Sequence, residues 1–107
     1  MHFVVIGKDK GAGELRRAAR PAHLEFIASR QHLILYAGPL IEAGRMIGSL
    51  FVFKVEGRAA LDAYLAEDPY FTAGIFETVE VYESRQMVPE SEPGFLLAEA
   101  EKARGSA

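Results

Sequence analysis

Four apolar, strand-like runs are interleaved with two helix-forming segments, and their order along the chain constrains the fold more than any other feature. Phe3, Val4, Val5 and Ile6 form the first run, closed by Gly7 and a polar, glycine-bearing stretch over residues 8–13. Helix formers dominate residues 14–31, but Pro21 lacks an amide hydrogen and is costly inside a helix, while being tolerated at its first position. The expectation is a short helical turn over residues 14–19 and a main helix from Pro21 to Arg30. Residues 32–40 read as a second strand that stops before Pro39, followed by a loop containing Glu42, Gly44 and Arg45 and a third strand over residues 50–55. These two strands are close enough to pair as an antiparallel hairpin. Leu61, Tyr64 and Leu65 recur at the i, i+3, i+4 spacing of a helix that ends near Glu67. Asp68-Pro69-Tyr70 sets a capping oxygen before a proline and predicts a new helical turn that stops by Gly74. Residues 75–83 form a fourth strand, with Ile75, Val79 and Val81 on one face and Phe76 and Tyr82 on the other. The sum is an α+β chain, a ferredoxin-like split β-α-β unit with a four-stranded antiparallel sheet.

At 107 residues there is room for one core, assigned to residues 1–85, with residues 86–107 left as a tail that carries a short helix over 95–104. Both helices of such a fold lie on one side of the sheet. Val4 and Ile6 nevertheless oppose Phe3 and Val5, and Leu50 and Val52 oppose Phe51 and Phe53, so the helix-free face is apolar too. Exposed apolar patches of that kind are rare on monomers, and a second copy of the chain, a homodimer, is the simplest cover. Twelve basic against fifteen acidic residues give a net charge of −3, which argues against nucleic acid as a partner. The absence of cysteine excludes disulfides, thiolate metal sites and a cysteine nucleophile. Residues 1–13 lack the pattern of a signal peptide and no apolar stretch approaches a membrane span, so the expectation is a cytoplasmic protein with no membrane contact.

A 100° step per residue places His23 between Phe26 and Ile27 on the apolar arc of the main helix. With the helix starting at Pro21, His23 falls in the first turn, near the positive end of the helix dipole, which favours a neutral ring able to accept a proton. An inward histidine is equally a satisfied core residue. Asp68 is a suitable partner in type, because a carboxylate on one ring nitrogen fixes the tautomer of a histidine, yet an aspartate before proline is also fully explained as a cap. Arg20 can bind an anionic substrate or pair with Glu14 or Glu25. Ser49 can donate to a ligand or serve as a small packing residue, and Tyr70 can act as a phenolic acid or as an ordinary half-buried aromatic. The histidines at 2, 23 and 32 have no metal-pair spacing, and no phosphate loop or nucleophile elbow is present. No cofactor is expected.

The segments Arg20-Pro21-Ala22-His23-Leu24, Ala37-Gly38-Pro39-Leu40, Gly48-Ser49-Leu50, Asp68-Pro69-Tyr70 and Gly74-Ile75-Phe76-Glu77 occur in the order and at about the spacing seen in the YCII-related, YciI-like domain proteins, and the chain resembles that family over about residues 2–85. The resemblance implies a ferredoxin-like fold paired into a dimeric α+β barrel, and a pocket in which His23 and Asp68 form a catalytic dyad; Arg20, Ser49 and Tyr70, read from the residues alone, are the substrate-binding candidates. With no cysteine and no metal-ligand spacing, the enzyme reading is that of a small cofactor-free enzyme. Some relatives of this look dehalogenate chlorinated hydroxyquinols, and the wider superfamily includes muconolactone isomerases and small monooxygenases. The short connection from Ile41 to Ile47 and the tail beyond Arg85 depart from the pattern. Two functions follow: proton transfer by His23 and Asp68 on a small, anionic aromatic or enolisable acid, driving elimination or isomerisation, or a non-catalytic module that binds a small metabolite or a protein.

Overall fold

The computed structural model describes residues 1–105. Its elements are β1 (His2–Asp9), α1 (Glu14–Ala28), a 3₁₀ turn (Gln31–Leu33), β2 (Ile34–Glu42), β3 (Arg45–Lys54), α2 (Arg58–Leu65), α3 (Pro69–Thr72), β4 (Phe76–Ser84) and α4 (Phe95–Gly105). The four strands form one antiparallel sheet in the order β2-β3-β1-β4, which is the ferredoxin-like split β-α-β arrangement. The α+β barrel that the family resemblance implies is not found, because the sheet is not closed into a barrel. Strands β2 and β4 are its two free edges, separated by β3 and β1, and a four-stranded sheet has too few strands to curl until those edges meet.

Alternation along β1 and β3 sends Phe3, Val5, Phe51 and Phe53 to one face, where they form the main core with Leu61 and Tyr64 of α2. Phe26 and Ile27 of α1 pack onto the same cluster. A smaller core of Tyr70, Ile75 and Phe76 lies beside it, against Ala19 of α1. Val4, Ile6, Leu50 and Val52 occupy the opposite face and are only half-buried.

Four local expectations need correction. Pro21 does not start a helix but lies inside α1, which runs unbroken from Glu14. The inward face spans both sides of the proline, from Arg16 to His23, Phe26 and Ile27, and its packing outweighs the lost hydrogen bond. Consequently His23 sits mid-helix, and the dipole argument for it does not apply. Strand β2 continues through Pro39 to Glu42, which an edge strand permits because the proline has no ladder bond to lose on its open side. The connection to β3 is only Ala43-Gly44, both at positive φ (50° and 77°), as in the two-residue type I′ hairpin turn. Finally, Phe76 joins the helix-covered face. A register shift at Lys8/Asp9 makes Phe76, rather than Glu77, the partner of Asp9, and this bulge reverses the phase of the strand start.

Candidate active site

Asp68 caps α3 and also holds His23. Its Oδ1 accepts the Tyr70 backbone N–H at 2.9 Å and lies 2.7 Å from His23 Nδ1, while Oδ2 accepts the Tyr64 hydroxyl at 2.6 Å. The carboxylate is fully buried. With Oδ1 as an acceptor, Nδ1 carries a ring proton, and in the neutral imidazole Nε2 is then the nitrogen left with a lone pair. The imidazole is further fixed by its neighbours, since Tyr70 stacks on it at 3.6 Å with 4° between the planes and Phe51 meets it edge-on at 6.0 Å. Capping and pairing are thus one function of one side chain, not alternatives.

His23 borders a cavity of about 180 Å³ between α1 and the inner faces of β2 and β3. Arg20, Ser49, Phe51 and Tyr70 line it too, and Leu24, Ile27, Ala37, Pro39 and Met46 supply apolar walls. All five residues singled out from the sequence therefore meet at one place, with Asp68 directly behind His23. Arg20 is exposed at this cavity and, among the described residues, makes neither a hydrogen bond nor an ion pair. Its expected alternative partners, Glu14 and Glu25, do not engage it.

Two further residues were not anticipated. Arg16 is buried at the same cavity, donating from Nε and Nη2 to the two carboxylate oxygens of Asp9 at 2.6 and 2.9 Å, and from Nη2 to Ser49 Oγ at 2.8 Å. Its guanidinium lies 4.8 Å from the centroid of the Tyr70 ring. Burial works to discharge Arg16, but the hydrogen bond and negative charge of Asp9 prevail and raise its pKa. For Tyr70, burial pushes the phenol up and the Arg16 and Arg20 charges pull against it without reversing it. For Arg16 and Asp9 the sequence offers periodicity alone, which does not decide burial. Arg16 precedes His23 by seven positions, within about 20° on a helical wheel, and Asp9 is in phase with Phe3 and Val5. Charged residues are read as solvated by default, and nothing local contradicts that reading.

Among the described residues, no group of three or more His, Asp or Glu side chains is placed to hold a metal ion. No helix among them is long and apolar enough to cross a membrane. The buried His-Asp and Arg-Asp pairs beside the unpaired Arg20 make a site suited to a small anionic ligand.

The sequence profile of the YCII-related domain matches residues 1–85. The chain belongs to the YCII-related family. Within it, protein YciI of Escherichia coli O6:H1 is 33% identical over 95 residues, covering 76% of this chain and 93% of the relative, and protein YciI of Shigella flexneri matches equally. Among solved structures, the YCII-related chain is similar to the 5-chloro-2-hydroxyhydroquinone dehydrochlorinase of Burkholderia phenoliruptrix AC1100 in complex with 2,5-dihydroxybenzoquinone. That match has a TM-score of 0.77 at 23% identity, and covers 85% of this chain and 100% of the other. A cofactor-independent oxygenase from Streptomyces nogalater, SnoaB, superimposes with a TM-score of 0.51 at 21% identity over 83% of this chain and 96% of its own. At such identities these two likenesses establish the shared fold.

Proposed function

We propose that the protein is a small acid–base enzyme in which His23 Nε2 takes a proton from a small, anionic, hydroxylated aromatic or enolisable substrate. The observation that carries this reading is the 2.7 Å His23–Asp68 pair, buried but bordering a cavity. Asp68 fixes the ring so that its acceptor nitrogen is the one left for substrate. As the proton moves to Nε2, the electron pair of the broken O–H or C–H bond enters a C=O or C=C bond. In an elimination the displaced pair leaves with a halide, and the net loss is one molecule of hydrogen halide once His23 releases its proton. In an isomerisation the imidazolium returns the proton to another carbon. Neither route consumes an oxidant or reductant.

Arg20 supplies attraction for the substrate's negative charge, and Tyr70 and Ser49 border its ring. The reaction of the fold neighbour, dehydrochlorination of a chlorinated hydroxyhydroquinone, supports elimination over isomerisation. A cavity of roughly 150 Å³ accepts one benzene ring, so the 180 Å³ here suits a single substituted ring. The cysteine-free composition fits a cytoplasmic enzyme. We further assign the helix-free sheet face, with Val4, Ile6, Leu50 and Val52, to a homodimer contact.

The test is a panel of chlorinated hydroxyquinols, muconolactones and related enolisable acids offered to the wild type and to His23→Ala. Turnover by the wild type and a loss of about 10²- to 10⁴-fold in the folded variant are expected, with Asp68→Asn costing less. Turnover unchanged in His23→Ala removes His23 from the mechanism. Binding without product from any acid in the panel favours a metabolite-binding module.

A further inference from the structure

Arg16 is 5% exposed, an uncommon burial for an arginine, and nothing in the acid–base chemistry of His23 requires it. Asp9 takes up its charge through the paired contacts at 2.6 and 2.9 Å, so a substrate anion finds no uncompensated positive charge there. Besides Asp9 and the Tyr70 ring it faces, Arg16 contacts Ser49, from Nη2 to Oγ at 2.8 Å, and that bond has a fixed direction, because a guanidinium has donors and no acceptor. In that bond Ser49 can only accept.

Ser49 makes no other hydrogen bond among the described residues, so its own hydroxyl hydrogen has no acceptor there. Its position on β3 is opposite Pro39 on one side and Gly7 on the other, and it lines the cavity beside Ala37, Pro39 and Phe51, whose side chains offer no acceptor. A serine that is nine-tenths buried and pinned by a donor from behind faces a cavity in front, and although Tyr70 and His23 line that cavity too, its hydroxyl donates to neither of them. His23, the opposite kind of group with a free lone pair on Nε2, borders the same space.

We infer that Arg16, clamped by Asp9, is a positioning residue that makes the Ser49 hydroxyl a preset donor to the substrate oxygen on which negative charge develops as His23 removes a proton. This deepens the acid–base reading and rests on it. It also defines the substrate: the reacting oxygen is a ring carbonyl, enolate or phenolate served by one neutral donor, and any permanent carboxylate belongs at Arg20, the cavity's unpaired cation. Preset donors of this kind gain strength as the acceptor oxygen becomes more basic.

The inference is tested by binding, independently of turnover, with single-ring phenols of graded acidity as probes, titrated as phenolates and followed by their own absorption. In the wild type, affinity should rise with the basicity of the phenolate oxygen. Ser49→Ala should flatten that dependence and weaken the most basic phenolate by about 10- to 100-fold, the worth of a hydrogen bond to a charged group. Ser49→Thr, which keeps a hydroxyl, should restore most of it. Arg16→Lys should flatten the dependence in the wild-type background and add less than about twofold on top of Ser49→Ala, since it acts through that serine. If Arg16→Lys does not fold, Asp9→Asn, which loosens the same clamp, takes its place in the cycle. A loss that is equal for all phenols, an Arg16 effect fully additive with Ser49→Ala, or no phenolate binding by the wild type would overturn the inference. His23 chemistry enters none of these readouts, so an enzyme reading that fails in the turnover screen leaves them interpretable.

Discussion

Asp68 satisfies three buried donors with two oxygens, and each donor belongs to a different part of the site: the His23 ring, the Tyr64 hydroxyl and the first turn of α3. Asp68→Ala would leave all three without a partner and should cost about 3–5 kcal/mol in a urea melt. Asp68→Asn keeps an oxygen for His23 and Tyr70 and offers its amide to Tyr64, so about 1–3 kcal/mol is expected. Equal losses for the two would mean that the carboxylate charge, which both variants remove, rather than the number of hydrogen bonds kept, sets the cost. Tyr64 gives the site a pH signature. Burial first, then the hydrogen bond and charge of Asp68, raise its phenol well above the ordinary 10.0. The folded state therefore keeps a proton that the unfolded chain releases, and the sign follows: the contribution is fully present below about pH 10 and is lost as pH rises toward the folded value. Stability should fall above pH 10 by about 1.4 kcal/mol per pH unit for each tyrosine so protected. Tyr64→Phe should show the shallower alkaline slope, and coincident slopes would dismiss the assignment.

Glycine positions set how closely the elements that carry the site approach one another. A Cβ on Gly7 would stand 2.6 Å from the Phe76 ring, and one on Gly48 would stand 2.2 Å from the Gly7 carbonyl oxygen. Phe76 in turn packs edge-on against Tyr70 at 6.2 Å, so β1 must lack a side chain there for α3 to settle over the sheet. Gly7→Ala should cost about 1–3 kcal/mol by overpacking. The hairpin turn runs the other way. Ala43 is held at φ 50°, a conformation that costs an ordinary residue about 1–2 kcal/mol and an asparagine less. Ala43→Asn creates the favoured Asn-Gly pair and should raise Tm by roughly 4–8 °C per kcal/mol regained. An unchanged or lower Tm would show that the turn is not strained. Such local rules explain what was legible: Asp68-Pro69 announces its cap, the 100° step turns His23 inward, and the run order specifies the four strands. What was not legible depends on contacts between elements. Pro21 is overruled by the packing of α1, Pro39 is admitted because β2 is an edge, Phe76 changes face through a bulge, and Arg16 is buried only because Asp9, seven residues earlier, meets it across the loop.

The whole molecule is longer than its residue count requires. A compact chain of this length has a radius of gyration of about 13 Å, whereas the Cα value here is 16.6 Å, with extents of 52 × 31 × 21 Å. The tail is extended to match: α4 is exposed along nearly its whole length, with Leu97 at 78%, and the hydrogen bonds at its start run to residues nearby in the chain, as in the Leu96 N–H to Glu90 bond of 2.7 Å. Removing residues 92–107 should therefore change the stability of the α+β unit by no more than about 0.5 kcal/mol. The tail also does not hide the helix-free face. Residues 85–89 border it near His2, Val4 and Val52, while Val4, Ile6, Leu50 and Val52 remain half-buried and Tyr36 and Tyr82 stay largely exposed at 62% and 53%. On a lone chain a charge at Val52 would be solvated and cheap, whereas within a dimer contact it would be stripped of water. Val52→Glu should thus convert a dimeric wild type into a monomer in sedimentation equilibrium while the circular dichroism spectrum is kept. A wild type that is already monomeric at micromolar concentration, or a variant that stays dimeric, would place the subunit contact elsewhere or remove it.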